Sequence, residues 1–330
     1  MGAAPPPQIA VVLAVESQRE RANLALRAIL TQAGPSLEVL LLEINDGRYP
    51  PLEGSDDPRV RRYSLASGVG YGEAGALAIR EARAPVVAFV EEHVQVAPGW
   101  AAAMVDAHRG PWAAVCGELH AGDRGRAIAD RIELISRHAW SPPAQGGESD
   151  LLRWQNVCYK RAPLLRYGPR LELLLQGEGA LFRQLRADGE RLYIEPRAKA
   201  IHAHETDWSA FLRGTFYSNR VSHGSGVEVA PTKWAGFWRP LASTLAGPVR
   251  WPLVLWRRTC AMPEAAHWRK IYWQNLPYVL QYYAVAAVAG ATGVLFGKGS
   301  SASQFLNAEL NYPRLIPDRS RWLAEEIDAA

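Results

Sequence analysis

Cysteine is scarce in this chain, and the few cysteines present form no pattern. The 330 residues contain Cys116, Cys158 and Cys260, which are widely separated and odd in number, with no C-x-x-C pair. A disulfide-stapled scaffold or a thiolate zinc site needs paired or closely spaced cysteines, so the sequence excludes both classes. A reducing compartment fits this cysteine usage best.

The sequence also lacks a large excess of charge and an N-terminal targeting signal. Its 37 Lys and Arg residues against 33 Asp and Glu give a formal net charge of +4, too small for a dedicated nucleic-acid-binding protein. The opening residues MGAAPPPQ carry no positive side chain before the first apolar run, so we expect no secretory signal and a cytosolic start. The 48% of hydrophobic residues is enough for a sizeable core.

Short apolar runs alternate with helical stretches over the first 115 residues. The predicted strands are Ile9–Val15, Leu37–Ile44, 59–65 and 85–90, and the predicted helices are 16–32 and 72–83. This alternation is typical of βαβ units and predicts an α/β fold with a mainly parallel sheet. Beyond a polar stretch at 121–152 with a helix at 128–138, further elements are predicted at Asn156–Lys160, 178–188 and 191–194.

The composition changes after residue 210, where a basic and tryptophan-rich region begins. Between Ala210 and Asn275, nine Lys and Arg residues face two Glu residues, so this stretch alone carries 9 − 2 = +7. Six tryptophans are interleaved with these charges: Trp234, Trp238, Trp251, Trp256, Trp268 and Trp273. Tryptophan combined with arginine is favoured at a membrane–water interface. We therefore expect two domains, 1–210 and 211–330, the second helical and associated with a membrane surface.

One long uncharged run follows this basic region. Leu276–Phe296 contains 21 residues without a charge, long enough to cross the hydrocarbon core of a bilayer as a helix. It is rich in Ala and Gly, with Pro277 and Gln281 near its start, so a buried or interfacial helix is an equal alternative to a membrane span.

Two motifs in the first half could carry chemistry. Glu91, Glu92 and His93 come directly after the predicted strand 85–90, and carboxylates with an imidazole at a strand end can hold a divalent cation such as Mg²⁺ or Mn²⁺. The alternative is a solvated charged turn. The other motif, Gly70-Tyr-Gly72-Glu-Ala-Gly75, spells a dinucleotide fingerprint but follows the wrong strand, so a glycine turn that opens a helix is favoured.

Taken in order, several segments resemble a family 2 glycosyltransferase with the GT-A fold. The similar segments are IAVVLAV, LEVLLLEIND, GALAIREARAPVVAFVEEH, NVCYKR and QGEGALFRQLRADGERLYIEPRAKAIHAH, which span about the first 200 residues. The resemblance rests on their order and spacing. It implies an inverting sugar transfer from a nucleotide-diphosphate-sugar donor, with a divalent cation. An NAD-dependent oxidoreductase is a third option, which a change in absorbance with a nicotinamide cofactor would reveal.

The resemblance also assigns expected roles to individual residues. The implied metal ligands are Glu91, His93 and His202, with Glu-x-His in place of the family's Asp-x-Asp. The implied nucleotide-sugar contacts are Glu16, Glu43, Gly72 and Glu92, and the implied acceptor or donor-sugar contacts are Trp100, Trp154 and Asn156. Glu178 matches the first acid of the family's Glu-Asp pair and is the expected general base, although Gly179 stands where the second acid usually lies.

These observations together predict a glycosyltransferase on the cytoplasmic side of a membrane, peripheral or single-pass. Its expected acceptor is lipid-linked or a polysaccharide. The missing acid at Gly179 leaves an alternative from another class, a glycosyltransferase-like binding or scaffold protein that has lost catalysis.

Overall fold

The structure is a computed structural model that describes residues 6–44, 47–122, 126–136, 146–150, 152–177, 179–230, 232–261, 265–314 and 316. The strands are β1 (Ile9–Val15), β2 (Leu37–Ile44), β3 (Val60–Leu65), β4 (Val86–Glu91), β5 (Val94–Val96), β6 (Trp112–Ala121), β7 (Gly147–Glu148), β8 (Asn156–Lys160) and β9 (Arg191–His202). The helices of the first two thirds are α1 (Arg19–Leu30), α2 (Tyr71–Glu81), α3 (Trp100–Ala107), α4 (Ala127–Ser136), α5 (Arg161–Leu165), α6 (Arg170–Leu175) and α7 (Ala180–Ala187). The remaining helices are α8 (Trp208–Val229), α9 (Lys233–Cys260), α10 (Ala265–Gln274), α11 (Leu276–Phe296) and α12 (Ser301–Asn311).

All nine strands form one sheet, in the order β3-β2-β1-β4-β8-β6-β9-β5, with β7 paired to β9. Strands β1 to β4 are mutually parallel, and the pairings through β8 give β6 and β9 the same direction. Six strands therefore point one way, and β8, β5 and β7 run against them. The predicted α/β fold with a mainly parallel sheet is confirmed.

The sheet is buried on both faces, as its uninterrupted aliphatic strands require. One face packs against α1 and α3 through side chains such as Leu13, Leu26 and Met104. The other face packs against α2, α6 and α7 through side chains such as Ile79, Leu174 and Phe182. The result is a three-layer α/β arrangement in which the ends of the central strands lie between two layers of helices.

The C-terminal helices pack against the α/β part of the chain. Leu134 and Ile135 of α4 join a core with side chains of α9, α10 and α11. Helix α12 then returns to the sheet, where Leu306 and Leu310 pack on Ile44 at the end of β2. The predicted domain boundary at residue 210 falls within the first turn of α8 and remains a prediction, and α12, beyond it, packs against the sheet of the first region.

Several elements differ in extent from the sequence-based expectation. Strand β9 continues to His202, well beyond the predicted end at 194, because it pairs with β6 across an irregularity between Gly117 and Leu119. Helix α1 begins at Arg19, with Gln18 as its N-terminal cap residue, and α7 begins at Ala180. The polar stretch expected around 141–147 lies mostly outside the described residues.

Among the described residues, one helix is long and apolar enough to cross a membrane. The most apolar 18-residue window of helix α11 has a mean hydropathy of 1.6, and 39% of that window is buried inside the protein. Gly293 of α11 lies against the backbone of α8, because a Cβ there would sit 2.3 Å from the carbonyl oxygen of Arg220. Core helices of soluble proteins pass the same length and hydropathy test, so a membrane span remains a prediction.

Candidate functional site

The candidate site lies beside β1 and β4, where successive strands of the chain stop being added on one side of β1 and begin on the other. From β1 the chain adds β2 and β3 on one side and then returns to place β4 on the other side. In open α/β sheets, ligands bind at the carboxyl ends of strands beside such a switch point. Glu91 ends β4, and Glu92 and His93 follow it directly, so the sequence delivers two acids and an imidazole to this position.

Three of these predicted metal-binding side chains meet at one point. Oε2 of Glu91 lies 3.0 Å from Nε2 of His93 and 3.7 Å from Nε2 of His202, and the two Nε2 atoms are 3.1 Å apart. His202 reaches this position because β9 is paired antiparallel with β5, which places it opposite Val94. We call Glu91, His93 and His202 the metal triad. The structure brings all three predicted ligands together.

The donor set and its surroundings fit a divalent cation. Imidazole nitrogen and carboxylate oxygen are ordinary ligands of Mn²⁺ and related ions, whereas Mg²⁺ prefers oxygen alone. Both oxygens of Glu91 are shielded from water; among the described residues Oε1 has no hydrogen-bond partner, and Oε2 has only the two imidazoles of the triad near it. Buried carboxylate oxygens are costly without a partner, so a cation bound to Glu91 would remove an otherwise unfavourable feature.

Protonation of the triad is shaped by burial and by the adjacent acids. Burial and a nearby guanidinium group act to lower the pKa of His93, but Glu92 and Glu91 outweigh them and raise it to about 9. Burial, followed by repulsion from two neighbouring imidazoles, lowers the pKa of His202. Cations and protons therefore compete for Nε2 of His93.

A second group of charged residues joins the triad from the C-terminal end of the chain. Arg314 is almost completely buried and forms ion pairs with Glu205 at 3.0 Å and with Glu309 at 2.7 Å. Burial raises the pKa of Glu309, whereas Arg314 opposes this rise. The four acids at the site are Glu91, Glu92, Glu205 and Glu309, and two arginines, Arg21 and Arg314, pair with them. With all four acids ionised and the imidazoles neutral, as cation binding to Nε2 of His93 requires, the group carries 2 − 4 = −2, which a divalent cation balances.

Sequence reasoning missed Arg21, Glu205, Glu309 and Arg314. Glu205 follows His204 in the segment HAHE, and that proximity is the signal that could have identified it. Glu309 and Arg314 are more than 200 residues away from Glu91 in sequence, and no local pattern marks them. Only the return of α12 to the sheet places them at the site.

A cavity of about 300 Å³ opens beside the metal triad. Its lining includes the charged or ionisable side chains Arg153, His202, Glu205, Glu309 and Arg314. Helix α8 contributes hydroxyl and amide groups to the same lining, from Thr215, Ser218, Asn219 and Ser222. A cavity lined by both charged and neutral hydrogen-bonding groups suits a phosphorylated, hydroxyl-rich ligand.

The four predicted nucleotide-sugar contacts are engaged with other parts of the protein. Oε2 of Glu16 accepts a hydrogen bond from Asn311 of α12. Glu43 is buried and pairs with Arg19 at 3.0 Å and Arg62 at 2.7 Å. At the ends of β1 and β2, therefore, α12 and arginine side chains contact the two acids that were expected to contact the nucleotide. Contact of Glu16 and Glu43 with a nucleotide sugar remains a prediction.

Gly72 and Glu92 have structural partners of their own. A Cβ at Gly72 would lie 2.0 Å from the carbonyl oxygen of Glu172, so this glycine permits close packing of α2 on α6. Glu92 is 1% exposed and is held by Arg21 and His93. Both residues are therefore engaged in the protein's own packing, and their contact with a nucleotide sugar remains a prediction.

Of the three predicted sugar contacts, one lines the cavity and two are in the core. Trp100 is 0% exposed and donates from its indole N–H to Oδ1 of Asn156 at 2.8 Å. Asn156 is also 0% exposed, and its amide donates to two backbone carbonyls. Trp100 and Asn156 are thus buried and hydrogen-bonded within the protein, and their contact with a sugar remains a prediction. Trp154 does line the cavity, and its indole N–H has no partner among the described residues.

The predicted general base cannot be placed, because Glu178 lies outside the described residues. The described chain resumes at Gly179, and α7 begins at Ala180. Gly177, on the other side, packs against Ser222 of α8, which also lines the cavity. The assignment of Glu178 as the base remains a prediction.

Comparison with known proteins adds information about the fold. No protein-family profile matches the sequence, and no curated protein matches it either. Among solved structures, the chain is similar to the mannosyltransferase PcManGT from Pyrobaculum calidifontis in complex with GDP-Man and Mn²⁺. The match has a TM-score of 0.53 and 16% identity and covers 87% of each chain. Residues 1–210 make up about two thirds of the chain, so the shared fold extends into the C-terminal helices.

Proposed function

We propose that the protein is a glycosyltransferase that moves a sugar from a nucleotide-diphosphate-sugar donor to a lipid-linked or glycan acceptor. The observation that carries the proposal is the convergence of Glu91, His93 and His202 beside a polar cavity at the switch point of the sheet. The solved structure with the similar fold is a mannosyltransferase that contains a nucleotide sugar and Mn²⁺. The fold and the donor set therefore support the same class of reaction.

In this reaction the bond between the sugar's anomeric carbon and the diphosphate breaks, and a bond from that carbon to the acceptor oxygen forms. A bound divalent cation supplies charge stabilisation to the departing diphosphate. Glu91, His93 and His202 would hold that cation, and α8 would orient polar groups of the ligand from across the cavity. In an inverting transfer the acceptor hydroxyl gives its proton to a carboxylate, for which Glu178 is the residue that we propose.

An activity screen with matched variants tests the proposal. Purified protein should transfer or hydrolyse sugar from at least one member of a nucleotide-sugar panel, and chelation of divalent cations should abolish this turnover. Glu91→Gln removes a ligand charge and should lower turnover by at least about 100-fold. Glu53→Gln, an exposed acid far from the site, should leave it unchanged. Glu178→Gln should abolish transfer while the protein stays folded.

The same assay separates the enzyme from the non-catalytic alternative. Metal-dependent binding of a nucleoside diphosphate without turnover of any donor would favour a binding protein. Turnover that is unaffected by Glu91→Gln and by chelation would contradict the proposed role of the metal triad. Unchanged turnover in Glu178→Gln would remove that residue from its proposed role.

We further propose that the C-terminal helices dock the enzyme on the cytoplasmic face of a membrane. Helix α9 exposes a row of apolar side chains with relative exposures of 71% at Trp234, 54% at Trp238, 66% at Leu245 and 72% at Val249. Their spacing of four, seven and four residues places them on one face of the helix. We call these four residues the α9 stripe. Large exposed apolar surfaces mark docking sites for membranes or proteins.

Positive charge accompanies the α9 stripe and favours a lipid surface. Arg239, Arg250 and Arg257 are exposed and are spaced by eleven and seven residues, so they form a row beside the stripe on the same helix. An apolar face flanked by arginines matches the interface of a membrane with anionic head groups. A membrane-bound enzyme would meet a lipid-linked acceptor at that surface, and α11 provides either a span or further interfacial contact.

A further inference from the structure

Glu92 lies between the metal triad and an arginine, and it has no access to solvent. Its Oε2 is 3.1 Å from Nδ1 of His93, and its Oε1 accepts hydrogen bonds from Nε and Nη2 of Arg21 at 2.9 and 2.5 Å. The side chains of Glu92 and Arg21 are 1% and 4% exposed. Such a buried ion pair is costly to form, so its presence beside the triad calls for a physical reason.

The contact with Glu92 determines which nitrogen of His93 faces the triad. A carboxylate accepts hydrogen bonds, so Nδ1 of His93 carries a proton toward Glu92. In the neutral ring, the lone pair is then on Nε2, which is the atom that meets Glu91 and His202. A hydrogen bond on one imidazole nitrogen that fixes the other as a ligand is the usual arrangement around metal-binding histidines.

Arg21 connects this arrangement to the C-terminal end of α12. Its Nη1 donates to the carbonyl oxygen of Tyr312 at 2.8 Å, and its Nη2 donates to that of Leu310 at 3.1 Å. These carbonyls lack helical partners because α12 ends at Asn311. The guanidinium group thus bridges Glu92 and the end of α12, a geometry that the single ammonium group of lysine cannot reproduce.

We propose that Glu92 and Arg21 are positioning residues, which orient His93 for the cation and make cation affinity depend on the docking of α12. This inference rests on the proposed function, because it concerns the same metal site. Glu92 would act by holding the ring of His93, a proposed metal ligand, and not by contacting the nucleotide sugar. It also explains why Arg21 of α1, distant in sequence from the triad, forms a buried ion pair with Glu92 and hydrogen bonds with carbonyls at the end of α12.

Binding of Mn²⁺ alone, followed by electron paramagnetic resonance of the free ion, tests the proposal without any turnover. Arg21→Lys keeps the positive charge but loses the planar guanidinium group that donates several hydrogen bonds at once, and it should weaken Mn²⁺ binding about tenfold. Glu92→Gln should weaken Mn²⁺ binding about 10- to 100-fold. Arg197 provides a matched control, since two of its N–H groups also donate hydrogen bonds to a buried acid, Glu195 of β9. Arg197→Lys should leave Mn²⁺ affinity unchanged.

A spectroscopic readout distinguishes positioning from a merely structural role. At about pH 10, where the ring of His93 with its pKa of about 9 is neutral, ¹⁵N NMR of the wild-type histidine rings should show the proton of His93 on Nδ1, and Arg21→Lys should yield a mixture of tautomers. This measurement remains informative if Glu92→Gln fails to fold. Wild-type Mn²⁺ binding that is unchanged in both variants would overturn this inference and leave the proposed function standing. Failure of the wild type to bind Mn²⁺ would overturn the inference together with the metal-assisted function.

Discussion

His108 is a buried histidine that follows the last residue of α3, and it is not a member of the candidate site. Burial, together with the positive charge of Lys160, lowers the pKa of His108 to about 4. The unfolded chain has a histidine pKa of about 6.5, so between these values the unfolded state binds a proton that the folded state does not. Stability should therefore fall as the pH decreases through this window.

The predicted size of this effect can be measured with a non-titrating variant. Between about pH 7.5 and about pH 5, the wild type should lose roughly 2 kcal/mol more unfolding free energy than His108→Gln. Urea unfolding at both pH values measures the difference. His267→Gln, at an exposed position, should retain the wild-type pH dependence. Parallel losses in wild type and His108→Gln would show that His108 does not contribute.

At the residue scale, the sequence predicted the members of the metal triad but not the arginines that pair with the acids around it. Glu91 and His93 could be placed because a charged segment directly follows a buried strand, and strand ends share one edge of the sheet. Arg21 and Arg314 could not be placed, since a buried ion pair is formed by tertiary packing and leaves no local pattern. Trp100 was predicted as a sugar contact because tryptophan serves both cores and sugar sites, and composition alone does not separate the two uses.

At the element scale, Gly72 shows how a glycine motif can serve packing. Helices α2 and α6 approach so closely at this residue that an added Cβ would lie 2.0 Å from the carbonyl oxygen of Glu172 and 2.3 Å from Cγ of Gln176. The contact includes backbone, which cannot rotate away. Gly72→Ala must therefore push the two helices apart, and we expect a loss of about 1–3 kcal/mol in unfolding free energy.

Gly226 in α8 supplies the control for this substitution. Nothing lies within 4 Å of a Cβ built at Gly226, so Gly226→Ala should gain up to about 1 kcal/mol from helix propensity. Urea unfolding of both variants gives the two free energies and their opposite signs. If Gly72→Ala retained full stability but lost nucleotide affinity, the prediction that Gly72 contacts the nucleotide sugar would be supported.

The elements themselves were predicted unevenly. Strands β1 and β2 and helix α11 have the expected bounds, because their apolar runs end abruptly at polar or glycine-containing turns. Helix α9 could not have been predicted as one helix of 28 residues, since it contains Pro240, Pro248 and Pro252. Proline removes a helical donor and disfavours a helix interior, so packing against α11 and α10 must stabilise it.

At the scale of the whole molecule, the metal triad and the α9 stripe belong to one continuous body. The cavity beside the triad is lined by α8, α8 packs on α11, and α11 packs on α9. Membrane docking through the α9 stripe would therefore hold the cavity at a fixed position relative to the lipid surface. This arrangement suits an acceptor that is anchored in the bilayer while its reactive end enters the cavity.

Vesicle binding tests this arrangement directly. Protein that sediments with phosphatidylcholine–phosphatidylglycerol vesicles should lose binding when the α9 stripe is charged. Leu245→Glu combined with Val249→Glu removes two exposed aliphatic side chains and adds negative charge, and we expect at least about a tenfold drop in the vesicle partition coefficient.

Leu165→Glu is the matched control, because it charges an exposed leucine on α5 in the α/β part of the chain, and it should bind vesicles like the wild type. Raising the salt concentration should weaken wild-type binding only in part, since salt screens the arginine row but not the burial of the α9 stripe. A wild-type protein that stays in the supernatant with anionic vesicles would contradict docking through α9. If Leu165→Glu and the double variant lost vesicle binding equally, the loss would come from added negative charge in general and not from the α9 stripe. Leu165 lies on α5, away from the α9 stripe and its arginine row.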